Sequence, residues 1–279
     1  MNHNFPFRAL LLGVFGLFSA TLFGQFVNFE ETWQEFLKNN KISNTSELTR
    51  PSKEDKIDYA KYSLMYANSN FCQSRIGESE SHLSEIRNIG ETTYKTIPGF
   101  TERFQDLESK VEAYHKVEGL WKQFLRTRQV NTQVLNSLED AKTVCEKGTL
   151  AKYFYMVAYQ NYCDNNIPEA KDNFENRVLK LAERTSLRVS DIEGLEKEVA
   201  DMKSLFIQLP KVGAAWKTFT TTGTSPGYDD NLPEYPCNPV PNIKACLLRG
   251  AADICGAGPA MAHKIRKLQA TNPHPLDPV

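Results

Sequence analysis

The chain has 279 residues, 41% of them hydrophobic, enough to bury a sizeable core. Lysine and arginine number 33 against 34 aspartate and glutamate, a net charge of −1, which excludes the broad basic footprint of a nucleic-acid-binding protein. The only long apolar run, Ala9 to Gly24, is 16 residues, short for a membrane-spanning helix.

With Arg8 before it and small residues at Ser19, Ala20 and Gly24, that run reads as a secretory signal peptide over residues 1–24. The alternative is an uncleaved N-terminal anchor. The mature chain is expected to be secreted, periplasmic or extracellular, with no membrane span.

Beyond residue 24 the sequence repeats. Trp33, Trp121 and Trp216 each open a Trp-x-x-Phe motif, closed by Phe36, Phe124 and Phe219. A cysteine follows at Cys72, Cys163 and Cys255, spaced 39, 42 and 39 residues from the tryptophan. Fixed internal spacing of this kind is the signature of a repeat architecture. The tryptophans are read as repeat core.

The segment leading to each cysteine has helical periodicity. The apolar stripe is Ile57, Ala60, Leu64, Ala67, Phe71 in the first copy and Ala151, Tyr155, Ala158, Tyr162 in the second. In the third it is Val240, Ile243, Leu247, Gly250, Ile254. A small residue (Ala67, Ala158, Gly250) stands five before the cysteine, and another (Ser79, Ala170, Ala262) seven after it. Small residues facing each other across a short turn let two antiparallel helices approach closely. In this spacing, with Leu83 and Phe174 four residues further on, the hairpins resemble those of tetratricopeptide repeat proteins. Arg266 departs from the pattern in the third copy. The resemblance covers about 34 residues of each unit and implies a helical hairpin scaffold; it names no more specific family.

A long amphipathic helix is expected after each full hairpin. The first, over residues 101–128, carries Phe104, Leu107, Val111, Tyr114, Val117, Trp121 and Phe124 on one stripe. The second carries Ile192, Leu195, Val199, Met202, Phe206 and Leu209, with Ser190 and Glu193 at capping-box spacing. Pro210 is expected to kink or break it. Residues 222–241 hold five prolines and read as a linker. The expected organisation is repeat 1 over 25–117, repeat 2 over 118–211, a truncated repeat 3 over 212–270 and a tail over 271–279: an all-α tandem array of about 2.5 units.

Six cysteines downstream of a signal peptide point to disulfides. Cys145 and Cys237 each lie 18 residues before the terminal cysteine of their unit, whereas the first unit has Glu54 there. This favours pairs between neighbouring units, Cys72 with Cys145 and Cys163 with Cys237. Eighteen helical residues span about 27 Å, too far for a pair within one unit.

Chemistry-bearing motifs are sparse. Cys237, Cys246, Cys255 and His263 lack the paired spacing of zinc ligands. Gly256-Ala257-Gly258 lacks the strand and acidic residue of a dinucleotide fold. His82, His115, His263 and His274 stand isolated in sequence, and carboxylates such as those of Glu196-Lys197-Glu198 read as solvated helix faces. Asn44-Thr45-Ser46 is one N-glycosylation acceptor pattern.

No cofactor, metal or catalytic residue is expected, and no nucleic acid partner. The expected function is non-enzymatic: a helical scaffold binding another protein or a second copy. Lys244, Arg249, Lys264, Arg266 and Lys267 form a candidate partner patch at the truncated end. One alternative is a sugar or lipid binder, or an enzyme, with a pocket walled by Tyr59, Tyr62, Tyr66, Tyr153, Tyr155 and Tyr159. Another is a structural envelope or extracellular element.

Overall fold

The computed structural model describes residues 29–42, 48–184, 187–226, 233, 237–238 and 240–252. The signal-peptide segment, the Asn44 acceptor pattern, Cys255, His263 and the basic residues Lys264, Arg266 and Lys267 lie outside the described residues. Every regular element among the described residues is helical. None of these helices is long and apolar enough to cross a membrane. The chain divides into two compact units, residues 1–108 and 109–279.

The first unit begins with α1 (Phe29–Asn39), which buries Trp33 and Phe36. Helices α2 (Lys56–Cys72) and α3 (Ile76–Ile89) form a hairpin. Asp55 caps α2 by accepting a hydrogen bond from the Asp58 amide. The stripe Ala60, Leu64, Ala67 and Phe71 is fully buried. Ile57, expected at its start, is instead 45% exposed, because it sits in the first turn where the packing partner has not yet begun. The small residues act as the spacing requires: Ser79 Oγ on α3 donates to the Ala67 carbonyl on α2 at 2.8 Å, a contact that a larger residue at either site obstructs. A short helix, α4 (Glu91–Tyr94), leads to α5 (Phe100–Thr127). Phe100 at its start packs 5.9 Å from the Trp33 ring.

In the second unit, α5 buries Val117, Trp121 and Phe124 along the expected stripe. A short helix, α6 (Thr132–Asn136), precedes α7 (Lys147–Cys163). The buried Glu146 carboxylate caps α7 by accepting from the amides of Gly148 and Thr149. Ala151, Tyr155, Ala158 and Tyr162 are buried as their spacing predicts. Three- and four-residue steps place these side chains on one helix face.

The return helix of this hairpin departs from the first. It starts as α8 (Ile167–Asp172), widens into a π-helical stretch over Asn173–Leu179, and ends as α9 (Lys180–Arg184). The wider stretch buries Phe174 and Val178 on the same side. Helix α10 (Leu195–Thr222) follows, and α11 (Val240–Ala252) is the last described element.

Of the expectations about α10, a break at Pro210 is corrected: the helix runs through Pro210, which costs it one backbone donor but does not end it. It also begins at Leu195 after a left-handed Gly194, so Ser190 and Glu193 form no capping box; Ser190 lies in a separate 3₁₀ turn, Val189–Asp191.

Local geometry recurs at corresponding places. Helices α5 and α10 both have 28 residues, with Trp121 and Trp216 each 21 residues past the first. Trp and Phe rings sit 5.6, 5.4 and 5.8 Å apart in the three motifs. Seven residues past each tryptophan comes a left-handed residue, Asn40, Arg128 or Gly223. Its amide donates to the phenylalanine carbonyl at 2.8 Å in all three cases. The two hairpin turns also match. Ser74 and Asn165 are left-handed at φ 62° and 59°, and the next amide reaches back to Asn70 and Asn161 at 2.8 Å.

Candidate functional site: two tyrosine-anchored charge clusters

In the first unit the hairpin assembles a polar cluster on its partly exposed face. Arg50, just before α2, donates to the Tyr59 hydroxyl and to Glu85 on α3, the latter at 2.8 Å. Its guanidinium also lies 5.2 Å from the Tyr59 ring centroid. The second Glu85 oxygen lies 3.0 Å from His82 Nδ1 and accepts from Ser63 Oγ at 3.4 Å. Tyr62 and Tyr66 stack at 4.2 Å, with the His82 ring 6.2 and 5.9 Å from them. His82, one turn before Glu85 on α3, is thus a satisfied, partly buried histidine that faces the tyrosines of α2.

The electrostatics follow from these contacts. Burial works against the Glu85 charge, but hydrogen bonds from Tyr59 and His82 and the nearby Arg50 charge outweigh it and hold its pKa below the usual carboxylate range. Burial, then the hydrogen bond with Tyr66, pushes the Tyr62 hydroxyl up to about 12. The hydrogen bond to Tyr59 raises Arg50 further. The cluster thus sets the Arg50 cation and the Glu85 anion beside the neutral Tyr62 phenol.

The second unit holds a different, buried cluster. Arg128, left-handed at the end of α5, forms an ion pair with Glu198 of α10. Glu198 is 1% exposed, which corrects its reading as a solvated carboxylate. It lies three residues past Leu195 on the core side of α10, whereas Glu196 and Lys197 face out. The Tyr155 hydroxyl meets both the Glu198 carboxylate and its backbone carbonyl at 3.1 Å. The Tyr159 hydroxyl donates to the Arg128 carbonyl at 2.9 Å, and burial pushes its pKa up to about 12. The Glu198 hydrogen bond raises Arg128 above its ordinary value. All acceptors here are used for joining α5, α7 and α10.

The first unit uses other residues at matching places. Asn68 donates to the Asn40 carbonyl at 3.0 Å, where Tyr159 serves Arg128. Arg103, three residues into α5, donates to the Leu37 carbonyl, where Glu198 serves the Arg128 side chain. Neither cluster was legible from a motif.

The tyrosines proposed as pocket walls divide accordingly. Tyr59, Tyr62, Tyr153, Tyr155 and Tyr159 are buried, and Tyr66 is half-buried. Trp33, Trp121, Ala67 and Ala158 are buried in the core. Trp216 is half-buried, with the Lys244 ammonium 5.8 Å from its ring. Lys244 and Arg249 are half-buried on α11. Cys163 and Cys237 are joined by a disulfide, with Cα atoms 5.1 Å apart across 74 residues of sequence. Cys72 and Cys145 each belong to a disulfide. Cys246 is buried on α11. Disulfides, with no described helix fit to cross a membrane, are compatible with an extracellular or periplasmic protein. No family model, no curated protein and no solved structure matches this chain.

Proposed function

We propose that the chain is a secreted or periplasmic, non-enzymatic scaffold, a tandem array of two full helical hairpin units and a truncated third, that binds another protein. The observation that carries this reading is the recurrence at Asn40, Arg128 and Gly223: three left-handed residues, each seven past a tryptophan, each closing on a phenylalanine carbonyl at 2.8 Å. The matched hairpin turns at Ser74 and Asn165 support it. Repeated hairpins present extended surfaces suited to partner proteins. The ion pairs described inside each unit join helix to helix, which is how a scaffold uses its charge. The test is cross-linking of the mature chain in its native compartment, followed by mass spectrometry. A stoichiometric partner cross-linked to a defined helix supports the reading; recovery of an uncross-linked monomer overturns it.

A second reading rests on the stacked Tyr62 and Tyr66 beside His82. Aromatic faces flanked by a carboxylate suit a small polar ligand such as a sugar. Thermal-shift screening of saccharides separates the two: stabilisation that is lost on Tyr66→Ala favours the ligand.

A further inference from the structure

Helix α11 packs on the second unit through Ile243, Ala245, Cys246 and Leu248, all buried. Lys244 lies over the Trp216 ring, and Ser225 Oγ donates to the Leu248 carbonyl at 2.6 Å. Ordering thirteen residues costs backbone entropy at every one, which this burial must offset. The start of α11 adds a further cost. Asn238 and Asn242 are 1% and 4% exposed, and their side-chain oxygens are buried with no hydrogen-bond partner. Their amide groups are used, toward the Tyr162 and Pro233 carbonyls.

A further offset to these costs sits three residues before α11. Cys237 is bonded to Cys163, the last residue of α7. Around the bond, Tyr162 and Asn238 exchange hydrogen bonds in both directions, at 3.3 and 3.1 Å. Both cysteines are only partly buried and pack against the edge of the core.

We propose that the Cys163–Cys237 disulfide is a redox latch that holds α11 against the Trp216–Phe219 end of α10. The reductant is a dithiol, small-molecule or protein. Its thiolate attacks one sulfur and forms a mixed disulfide; its second thiol resolves that intermediate. Two electrons pass to the protein, Cys163 and Cys237 leave as thiols with one proton each, and the dithiol leaves as a disulfide. Once released, α11 uncovers the apolar side of α10 that carries Trp216, so the state of the bond sets whether this end is closed or open.

The test is hydrogen–deuterium exchange of the full mature chain, comparing the wild type with the Cys163→Ser/Cys237→Ser variant, in which Cys72 and Cys145 are untouched. The latch requires amides of 240–252 to exchange at least ~10-fold faster in the variant while α7 keeps its protection. Unchanged protection of 240–252 in the variant overturns it. A dithiol titration of the wild type, with alkylation to count the thiols formed, guards against a variant that fails to fold. Release of 240–252 and a red-shifted tryptophan emission before helicity falls supports the latch. Simultaneous loss of helicity across the unit shows a global staple and overturns it.

Discussion

The Arg128 guanidinium and the Glu198 carboxylate form an ion pair in which the two partners are unequally buried: the Arg128 side chain is 32% exposed and the Glu198 side chain 1%. The pair joins the end of α5 to the start of α10. Its asymmetry decides what each half costs to remove.

Arg128→Ala strands a buried carboxylate and is expected to destabilise by about 3–5 kcal/mol. Glu198→Ala leaves an arginine that can turn toward water, so its cost is expected to be smaller by about 1 kcal/mol or more. The double variant is expected to cost less than the two added together. Urea unfolding of the three variants measures this, and additive losses contradict the coupling.

Alkaline pH is expected to unfold the chain in a defined window. Tyr62 and Tyr159 are both raised to about 12 from the ordinary 10.0. The native state therefore holds their protons more tightly than the unfolded chain does. That stability is complete below pH 10 and is lost as pH rises toward 12. Tyrosinate absorbance followed beside helicity checks it: these phenols should ionise together with unfolding. Acid acts oppositely on Glu85, whose lowered pKa gives stability present above 4.5 and lost as pH falls below it.

The three tryptophans are expected to differ in cost despite their shared motif. Trp33 and Trp121 are 1% exposed, and truncating either to alanine should cost about 3–5 kcal/mol. Trp216 is half-buried, so Trp216→Ala is expected to cost about 1–2 kcal/mol, including its contact with Lys244. Thermal denaturation of the three variants ranks them.

Gly194→Ala and Gly223→Ala separate strain from collision. Both glycines are left-handed, at φ 75° and 70°. A Cβ at Gly194 would lie 2.7 Å from Leu125 Cδ2, whereas one at Gly223 meets nothing within 4 Å. Gly223→Ala is expected to cost about 1 kcal/mol from backbone strain alone, and Gly194→Ala about 1 kcal/mol more. Equal losses would show that Leu125 moves aside.

Removing the Cys163–Cys237 bond releases a loop constraint spanning 74 residues. The chain-entropy model sets that at about 4 kcal/mol. Non-reducing peptide mapping is expected to return these two cysteines on one linked pair; Cys145 linked to Cys163 contradicts it.

The sequence by itself determined the helices and their inward faces. Three- and four-residue steps put Ala60, Leu64, Ala67 and Phe71 on one side whatever they pack against, and the small pair Ala67 and Ser79 required a close helix crossing. It favoured pairing Cys145 with a cysteine other than Cys163, because the helix ending at Cys163 carries the two apart. Only the tertiary structure decided the polar contacts. Glu198 and Glu196 are two residues apart in the same helix and chemically alike, yet one is buried and one exposed. The difference lies in the partner that α5 supplies, Arg128, 70 residues earlier. Likewise His82 acquires its role from the tyrosines that α2 brings across the turn, and Pro210 is absorbed into α10. A hydrophobic pattern is carried by neighbours in sequence, and so can be read along the chain. A buried charge is tolerated only where a distant element satisfies it, and so becomes visible only when the elements are in place.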